Sequence, residues 1–275
     1  MVYGIIELII FAHGDIFTVG GFIGSTLIGL LGLQHAPPAL LIPGVIVVFL
    51  VAMSLNGLLG VVIERVAYRP LRNAPRLAPL ITAVGISFIL EGILFLLKGP
   101  NQISYPNLLP GGALNLGFAS IGVGNIFIIV IALGLMIALN QFIQRTRIGR
   151  AMRATAQDRD AAQLMGIDID RTIAATFFIG AVLAGAGGAM YGLSYNTAVF
   201  DLGFSAGLVA FTAAVFGGIG NIYGAAIGGL VLGLIRTMWD GYFDSAWSDV
   251  VVFAILILVL VFRPTGILGM RVPEK

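Results

Sequence analysis

The sequence has no cysteine, only two histidines and few charged residues, which make up 10% of its 275 positions. Without cysteine, the chain cannot form a disulfide bond, an iron–sulfur cluster or a zinc site built on thiolates. The two histidines, His13 and His35, are too distant in sequence to suggest a zinc site, and we expect no bound metal. The motifs G-x-x-x-x-G-K-[ST], H-E-x-x-H and G-x-S-x-G are also missing. We therefore expect no catalytic residues and no cofactor on this chain.

The scarcity of charge is matched by an excess of apolar residues. Hydrophobic residues make up 59% of the chain and the mean hydropathy is +1.03, whereas about 25% of the residues in a soluble domain are charged. A helix needs about 20 apolar residues to cross the hydrocarbon core. These values predict an all-α integral membrane protein, a polytopic helical bundle of about eight transmembrane segments. The segments are 16–33, 40–64, 78–98, 123–144, 172–194, 205–219, 222–240 and 248–262, of which 205–219 and 248–262 are short and call for tilted or broken helices.

The basic residues predict the orientation of the bundle. Most of the 15 lysines and arginines occur in the loop 65–77, in the insert 145–171 and at the C-terminus, whereas the loops 99–122 and 195–204 contain none. The predicted segments place the three basic regions on one face of the membrane, and the positive-inside rule makes that face cytoplasmic. The pI of about 9.1 is therefore interpreted as a topology signal, and we expect no binding to nucleic acid.

The insert 145–171 carries six arginines between two apolar segments. Its good helix formers predict a helix over 149–166, which Gly166 would end in a left-handed cap. One face of this helix would contain Ala151, Ala154, Asp158, either Ala161 or Ala162, and Met165. We interpret the insert as a cytoplasmic docking helix for a motor subunit; a solvated loop that serves only topology is the alternative. The residues expected to couple this chain to the motor subunit are Arg150, Arg153, Asp158, Asp160, Ala161, Ala162 and Gly166.

Several residues are candidates for a pathway through the membrane. The glycine-rich stretch around Gly217, Gly218, Gly220 and Asn221 interrupts a helix, and broken helices often mark transport pathways; a simple turn between two spans is the alternative. Glu91 lies in the middle of a span, where a carboxylate is costly, so it serves either a structural hydrogen bond or a pathway or partner contact.

Three further candidates lie near the start of the chain and in the second span. Phe11 and His13 lie at a break between two apolar runs, where His13 is either a ligand or part of a capped helix end, and Asp15 is placed to cap the next helix. Asn56 is expected to hydrogen-bond between helices.

Small residues recur at four-residue spacing in two of the predicted spans. Such stripes allow helix backbones to approach closely, and van der Waals contact then holds them together. We therefore predict helix packing through Gly180, Ala184, Gly188 and Gly192 in one span and through Gly224 and Gly228 in another.

The chain resembles the LivH-type permease subunits of branched-chain amino acid ABC importers. The resemblance extends over most of the sequence, and Asp160-Ala161-Ala162 followed by Gly166 is similar to the loop by which importer permeases contact their ATPases. In that motif Asp160 replaces the usual glutamate, and the downstream I-x-L-P is missing. The matching stretches are residues 1–6, 11–14, 64–70, 210–215, 216–221 with 224–225, and 263–269.

The resemblance implies a function and a set of partners. Residues 1–275 would form a single transmembrane domain that imports leucine, isoleucine or valine across the bacterial inner membrane, together with a LivM-like second permease, two ATP-binding cassette subunits that carry ATP and Mg²⁺, and a periplasmic binding protein. Family members usually carry a complete first helix before the stretch 1–4, so most of one span is expected to be missing. A urea or short-amide permease, or a channel or secondary transporter without a motor, is the alternative.

Overall fold

The computed structural model describes residues 12–269 except 73, 76, 107, 109–111, 116–119, 219 and 264. This part of the chain is mainly helical, with a few very short strands. The helices are α1 Ala12–Leu30, α2 Pro38–Ile63, α3 Leu77–Lys98, α4 Val123–Arg145, α5 Arg147–Gln157, α6 Arg159–Leu164, α7 Ile169–Tyr195, α8 Leu202–Gly217, α9 Ile222–Tyr242 and α10 Ser248–Phe262. The strands are β1 Ile103–Ser104, β2 Ala113–Asn115, β3 Ser120–Gly122 and β4 Thr197–Ala198.

The hydropathy of these helices confirms a polytopic helical membrane protein. Six helical segments in the described ranges are long and apolar enough to cross a membrane, and they contain α2, α3, α4, α7, α9 and α10. The predicted segments 16–33 and 205–219 also became helices, α1 and α8, but neither is among the six, and α8 has 16 residues. The expected number of about eight spans is therefore not confirmed.

The chain divides into two compact units that meet in sequence between Ser205 and Ala206. In the first unit α1, α2 and α7 pack around an apolar core that includes Phe22, Val48 and Ala189. The second unit contains most of α8 together with α9 and α10. There Ser248 donates a hydrogen bond to Asp240 across the turn between α9 and α10.

The core of the first unit depends on glycines where helix backbones meet. A Cβ atom on Gly20 would lie 2.6 Å from the Cα atom of Gly185 and 2.5 Å from the side-chain amide of Asn56. A Cβ atom on Gly60 would lie 2.9 Å from the carbonyl oxygen of Phe177. Larger residues at these points would force α1, α2 and α7 apart, so close approach of small residues holds this three-helix group together.

Loops that are alike in charge contact each other in the first unit. At one end β1 pairs with β4, which joins the two loops that lack lysine and arginine. At the other end Arg69 and Arg72 form ion pairs with Asp170, which joins the loop 65–77 to the end of the basic insert. Within this unit, the two loops without lysine and arginine thus contact each other, and so do the two basic segments.

The segment that follows β1 is fixed to the helices by one tyrosine. The backbone N–H of Tyr105 donates to the carbonyl oxygen of Asn196 at 2.9 Å, and its hydroxyl donates to the carbonyl oxygen of Gly21 at 2.6 Å. Tyr105 is 2% exposed, and this burial raises the pKa of its phenol, which therefore keeps its proton and remains a donor.

Candidate functional site

The basic insert forms two short helices, not the single helix predicted over 149–166. Thr146 caps α5 by accepting a hydrogen bond from the N–H of Gly149 at 3.0 Å. Asp158 has an extended backbone and caps α6 by accepting from the N–H of Ala161 at 3.0 Å. Because an aspartate that caps a new helix cannot continue the old one, the predicted shared face through Asp158 is wrong.

The second helix ends in an exposed apolar tip. Leu164 is 89% exposed and Met165 is 83% exposed, and Gly166 follows with a φ of 82°, the left-handed conformation predicted for the end of this helix. In contrast, Met152 and Thr155 on α5 are buried, and α5 packs against α7. The insert is thus seated on the bundle through α5 and presents α6 outward.

The predicted coupling residues fall into two groups. Arg150, Asp160, Ala161 and Gly166 are exposed and belong to the outer surface of the insert. The others serve the fold of the insert itself: Arg153 donates to the carbonyl oxygen of Ile143, Asp158 is the cap of α6, and Ala162 is buried.

An ion-pair network lies at the end of the first unit where the basic loops meet. Arg72 binds the carboxylates of both Glu64 and Asp170, and Arg69 binds the second of these. Glu64 begins a π-helical turn that ends at Tyr68, and such turns are common at functional positions in helices. Nothing in the local sequence pattern predicts this network because Arg72 and Asp170 are distant in the chain.

A cavity of about 280 Å³ lies next to this network. It is lined mainly by charged side chains, which distinguishes it from the apolar pockets that usually hold small hydrophobic ligands. The lining residues are Val61, Glu64, Arg65, Arg69, Asp168, Asp170, Arg171 and Ala174.

His13 lies inside the first unit beside Phe177. The two rings pack edge to face with centroids 6.2 Å apart, and Tyr68 contacts the same phenylalanine with centroids 5.2 Å apart. Neither ring nitrogen of His13 nor the hydroxyl of Tyr68 has a hydrogen-bond partner among the described residues. Phe11, predicted alongside His13, lies outside the described residues.

Asn56 is fully buried between α1 and α7. Its side chain fills the space left by Gly20 and Gly185. The interhelical hydrogen bond predicted for it is not formed with any described residue, since its amide nitrogen and oxygen both lack a partner. Buried polar atoms without partners are rare in proteins, and this group marks a position where a polar ligand or water would be stabilised.

Asp15 was expected to cap a helix, but this expectation is wrong. In the described residues α1 is Ala12–Leu30, so Asp15 lies inside the helix and not before it; the side chain is fully buried and accepts a hydrogen bond from Ser87. Glu91, one turn along α3 from Ser87, is half-buried and interacts with Asp15. The structure thus brings one predicted pathway residue, Glu91, to a buried carboxylate that the sequence pattern had assigned to capping.

The glycine-rich stretch in the second unit is a tight turn between α8 and α9. Gly218 and Gly220 have φ values of 114° and 90°, which explains why glycine is needed at both positions. Asn221 caps α9 by accepting from the N–H of Gly224 at 3.2 Å, and its side chain donates to the carbonyl oxygen of Leu268 at 3.0 Å. Gly217 accepts from the N–H of Leu268, so the segment after α10 fastens the turn.

The predicted packing glycines occupy different environments. A Cβ on Gly188 would lie 2.8 Å from the N–H nitrogen of Gly21, and one on Gly192 would collide with Tyr105. Gly180 and Ala184 are only half-buried, and the contact with α1 and α2 is completed by Gly185, which the four-residue spacing did not include. In the second unit Gly224 and Gly228 meet the backbone of Gly217 and Ala213.

Comparison with known proteins identifies the family. Residues 1–260 match the family described as the permease component of branched-chain amino acid transport systems. The chain belongs to this family. It is 43% identical to the high-affinity branched-chain amino acid transport permease BraD of Pseudomonas aeruginosa, over 100% of this chain and 90% of that protein. It is equally similar, 43% identical over 100% of the chain and 90% of the relative, to LivH of Escherichia coli strain K12.

The permease also has a more distant relative of a second type. It is 26% identical to the probable branched-chain amino acid transport permease LivM of Methanocaldococcus jannaschii over 47% of this chain and 41% of that protein. No solved structure matches the chain. The fold class and the family agree, since a multi-pass helical membrane protein is what a permease requires.

Proposed function

We propose that this permease is the transmembrane subunit of an ATP-driven importer for leucine, isoleucine and valine. The observation that carries the proposal is the full-length match to permeases of branched-chain amino acid transport systems. The exposed tip of α6 at Leu164 and Met165 supports it, because an importer without a nucleotide-binding motif needs an outward surface for its motor.

The partners follow from the same reasoning. A LivM-like second permease would complete the pathway, and the similarity to such a protein supports a pair of related subunits. Two ATP-binding cassette subunits would bind ATP and Mg²⁺ and dock against α5 and α6, while a periplasmic protein delivers the solute. The basic loops 65–77 and 145–171 and the C-terminus would then face the cytoplasm, and the protein would lie in the bacterial inner membrane.

We propose that movement of the motor reaches the membrane through the basic insert. A force on the tip of α6 would reach α5, which packs on α7, and the start of α7 is tied to the π-helical turn through Asp170 and Arg72. Movement of α7 would shift α1 and α2, which carry His13 and Asn56. These residues, Phe11, Glu91 and the turn at Gly217, Gly218, Gly220 and Asn221 remain our candidates for the pathway.

The test is purification from the native membrane followed by reconstitution. We expect a tagged chain in mild detergent to retain a second permease and two subunits with nucleotide-binding motifs. Proteoliposomes that contain this complex should accumulate radiolabelled leucine only when both ATP and the binding protein are present. Accumulation of urea or acetamide in place of leucine would indicate the related amide permeases, and leucine flux without ATP would indicate a channel.

A further inference from the structure

Three carboxylates of the first unit come together from separate segments: Asp15 on α1, Glu91 on α3 and Asp201 just before α8. The segment between β4 and α8 follows α3, with Phe200 packed on Phe95 at a ring-centroid distance of 5.4 Å. One residue further, Asp201 interacts electrostatically with Glu91. We name Asp201, Glu91 and Asp15 the carboxylate ladder.

Burial increases along the ladder. Asp201 is exposed, Glu91 is half-buried and Asp15 is 0% exposed. Gly203, in the first turn of α8, packs directly against Asp15. A Cβ atom at this position would lie 2.7 Å from the Cα atom of Asp15. Only glycine permits this contact, so the ladder ends where the first turn of α8 covers Asp15.

The ladder has no cationic partner in the described part of the chain. No ion pair between described residues includes any of its three carboxylates, and Lys98, at the end of α3, donates instead to Thr26 at 3.0 Å. Asp15 receives one hydrogen bond from Ser87, while its other oxygen has no hydrogen-bond partner within 3.5 Å among the described residues. A fully buried carboxylate oxygen without a donor is rare and costly, so Asp15 is a position at which the donor groups of a ligand would be stabilised.

The spacing of the ladder favours an organic cation over a metal ion. Among the described residues, no group of three or more histidine, aspartate or glutamate side chains is close enough to hold a metal. A primary ammonium has three donors directed apart, which suits carboxylates that approach from separate segments of the chain, as Asp15, Glu91 and Asp201 do. Phe95 and Phe200 add an apolar surface beside Glu91, where an aliphatic side chain would be stabilised.

We propose that the carboxylate ladder binds the α-ammonium group of the transported amino acid, first at Asp201 and Glu91 and then at Asp15. This site deepens the proposed function and rests on it. Gly203 covers Asp15 in this structure, so the ladder is closed at its inner end. Movement of Gly203 away from Asp15 would open it and allow the ammonium group to pass to the deepest carboxylate.

The first test compares two fragments of leucine on the wild-type complex. The full importer, without binding protein, is placed in lipid nanodiscs and studied by saturation-transfer NMR, which detects weak ligands. We expect saturation transfer to leucine and to 3-methylbutylamine, which keeps the ammonium but has no carboxylate, and competition between them. Signal from 4-methylpentanoate but not from the amine would overturn the proposal, as would the lack of signal from both leucine and the amine.

The second test removes the charges with little change in shape. Glu91→Gln and Asp15→Asn keep the size of each side chain, and Asp15→Asn keeps an acceptor for Ser87. We expect each to lower the affinity for the amine roughly tenfold or more, since hydrogen bonds to charged groups are worth about that much. Asp249→Asn, which removes a carboxylate in the second unit, should leave the affinity unchanged.

Transport measurements separate this proposal from the proposed function. Wild-type proteoliposomes are expected to import leucine when ATP and the binding protein are present. If Glu91→Gln and Asp15→Asn then import leucine with the wild-type half-saturation concentration and rate, the ladder does not bind solute, but the proposed importer function is still supported. If the wild type imports no leucine, the proposed function itself fails. Reduced leucine uptake in both variants, with assembly intact and binding-protein-stimulated ATPase retained, supports the ladder.

Discussion

Arg72 and Glu64 form an ion pair in which the guanidinium side chain is 20% exposed and the carboxylate is 2% exposed. The second terminal nitrogen of Arg72 binds Asp170 at the start of α7. One arginine thus connects the π-helical turn at the end of α2 to the start of α7, the helix that follows the basic insert. Glu64 is almost completely removed from water, and among the recorded ion pairs of the described residues its partner is Arg72, so the contribution of this pair to stability can be measured.

Replacement of Arg72 by alanine should strongly destabilise the first unit. Breaking a buried ion pair by removal of one partner costs about 3–5 kcal/mol, since the remaining charge stays buried without compensation. Arg69→Ala should cost about 1 kcal/mol or less, because Arg69 and Asp170 are both more than 40% exposed and exposed ion pairs contribute little. Thermal unfolding of the purified protein in detergent compares the two variants.

The double variant Arg72→Ala/Glu64→Gln provides the control for this prediction. Neutralising Glu64 removes the uncompensated charge, so the double variant should regain a large part of the stability that Arg72→Ala loses. A double variant as unstable as Arg72→Ala alone would show that the arginine acts through Asp170 or through packing, and not through Glu64.

Two changes in the basic insert should uncouple ATP hydrolysis from transport. Asp160→Arg reverses a charge on the exposed side of α6, and Gly166→Pro is incompatible with a φ of 82° at the end of that helix. Neither residue belongs to the apolar core of the first unit. We expect assembled complexes with normal unfolding temperatures, at least tenfold lower leucine uptake, and ATP hydrolysis that no longer responds to the binding protein.

A matched variant tests whether the loss of uptake in Asp160→Arg comes from its position on α6 or only from the added positive charge. Gln157→Arg adds a positive charge at an exposed position at the end of α5, away from the tip, and should leave uptake near the wild-type rate. Full ATP-driven uptake by both Asp160→Arg and Gly166→Pro would remove the basis for assigning motor contact to α6.

Replacement of Gly20 by alanine should destabilise the packing of α1 against α7. Gly20→Ala would place its methyl carbon 2.5–2.6 Å from Asn56 and Gly185, and overpacking of this kind costs about 1–3 kcal/mol. Gly85→Ala is the matched change on α3, where nothing lies within 4 Å of the added carbon. It should be neutral or slightly stabilising, because alanine favours the helix. Equal unfolding temperatures for the two variants would contradict the close approach.

The long spans were predictable from sequence because a lipid-facing helix must be apolar over its whole length. The predicted segments 123–144 and 222–240 became Val123–Arg145 and Ile222–Tyr242. The break in the basic insert was not predicted, since helix propensity favours residues on both sides of Asp158 and only the side-chain cap on Ala161 decides against continuity. Such a cap interrupts the helix through a single side-chain hydrogen bond. Helix propensity averaged over a window of neighbouring residues does not detect it.

The polar sites inside the membrane could be predicted only in part. Glu91 was a candidate because a carboxylate in the middle of an apolar run is costly wherever it points. Its relation to Asp15 was hidden, because Asp15, Ser87 and Asp201 come from three separate segments and no local spacing connects them. Glycine spacing likewise identified Gly188 as a packing residue but passed over Gly185, whose contact partner is the side chain of Asn56 on α2.

The hydroxyl of Tyr105 should hold the segment after β1 against the helices. Tyr105→Phe removes the donor to the carbonyl oxygen of Gly21, which lies inside α1 and is also an acceptor of that helix, so the loss of this one bond should cost about 0.5–1.5 kcal/mol. Tyr242→Phe, at a position that is 80% exposed, is the matched change and should cost almost nothing.

Hydrogen exchange of the backbone amides in β1 and β4 would report the effect locally. Faster exchange at Ser104 and Tyr105 in Tyr105→Phe, with Tyr242→Phe unchanged, would show that one side-chain hydrogen bond fastens the two uncharged loops. Unchanged exchange would mean that pairing of β1 with β4 alone is sufficient.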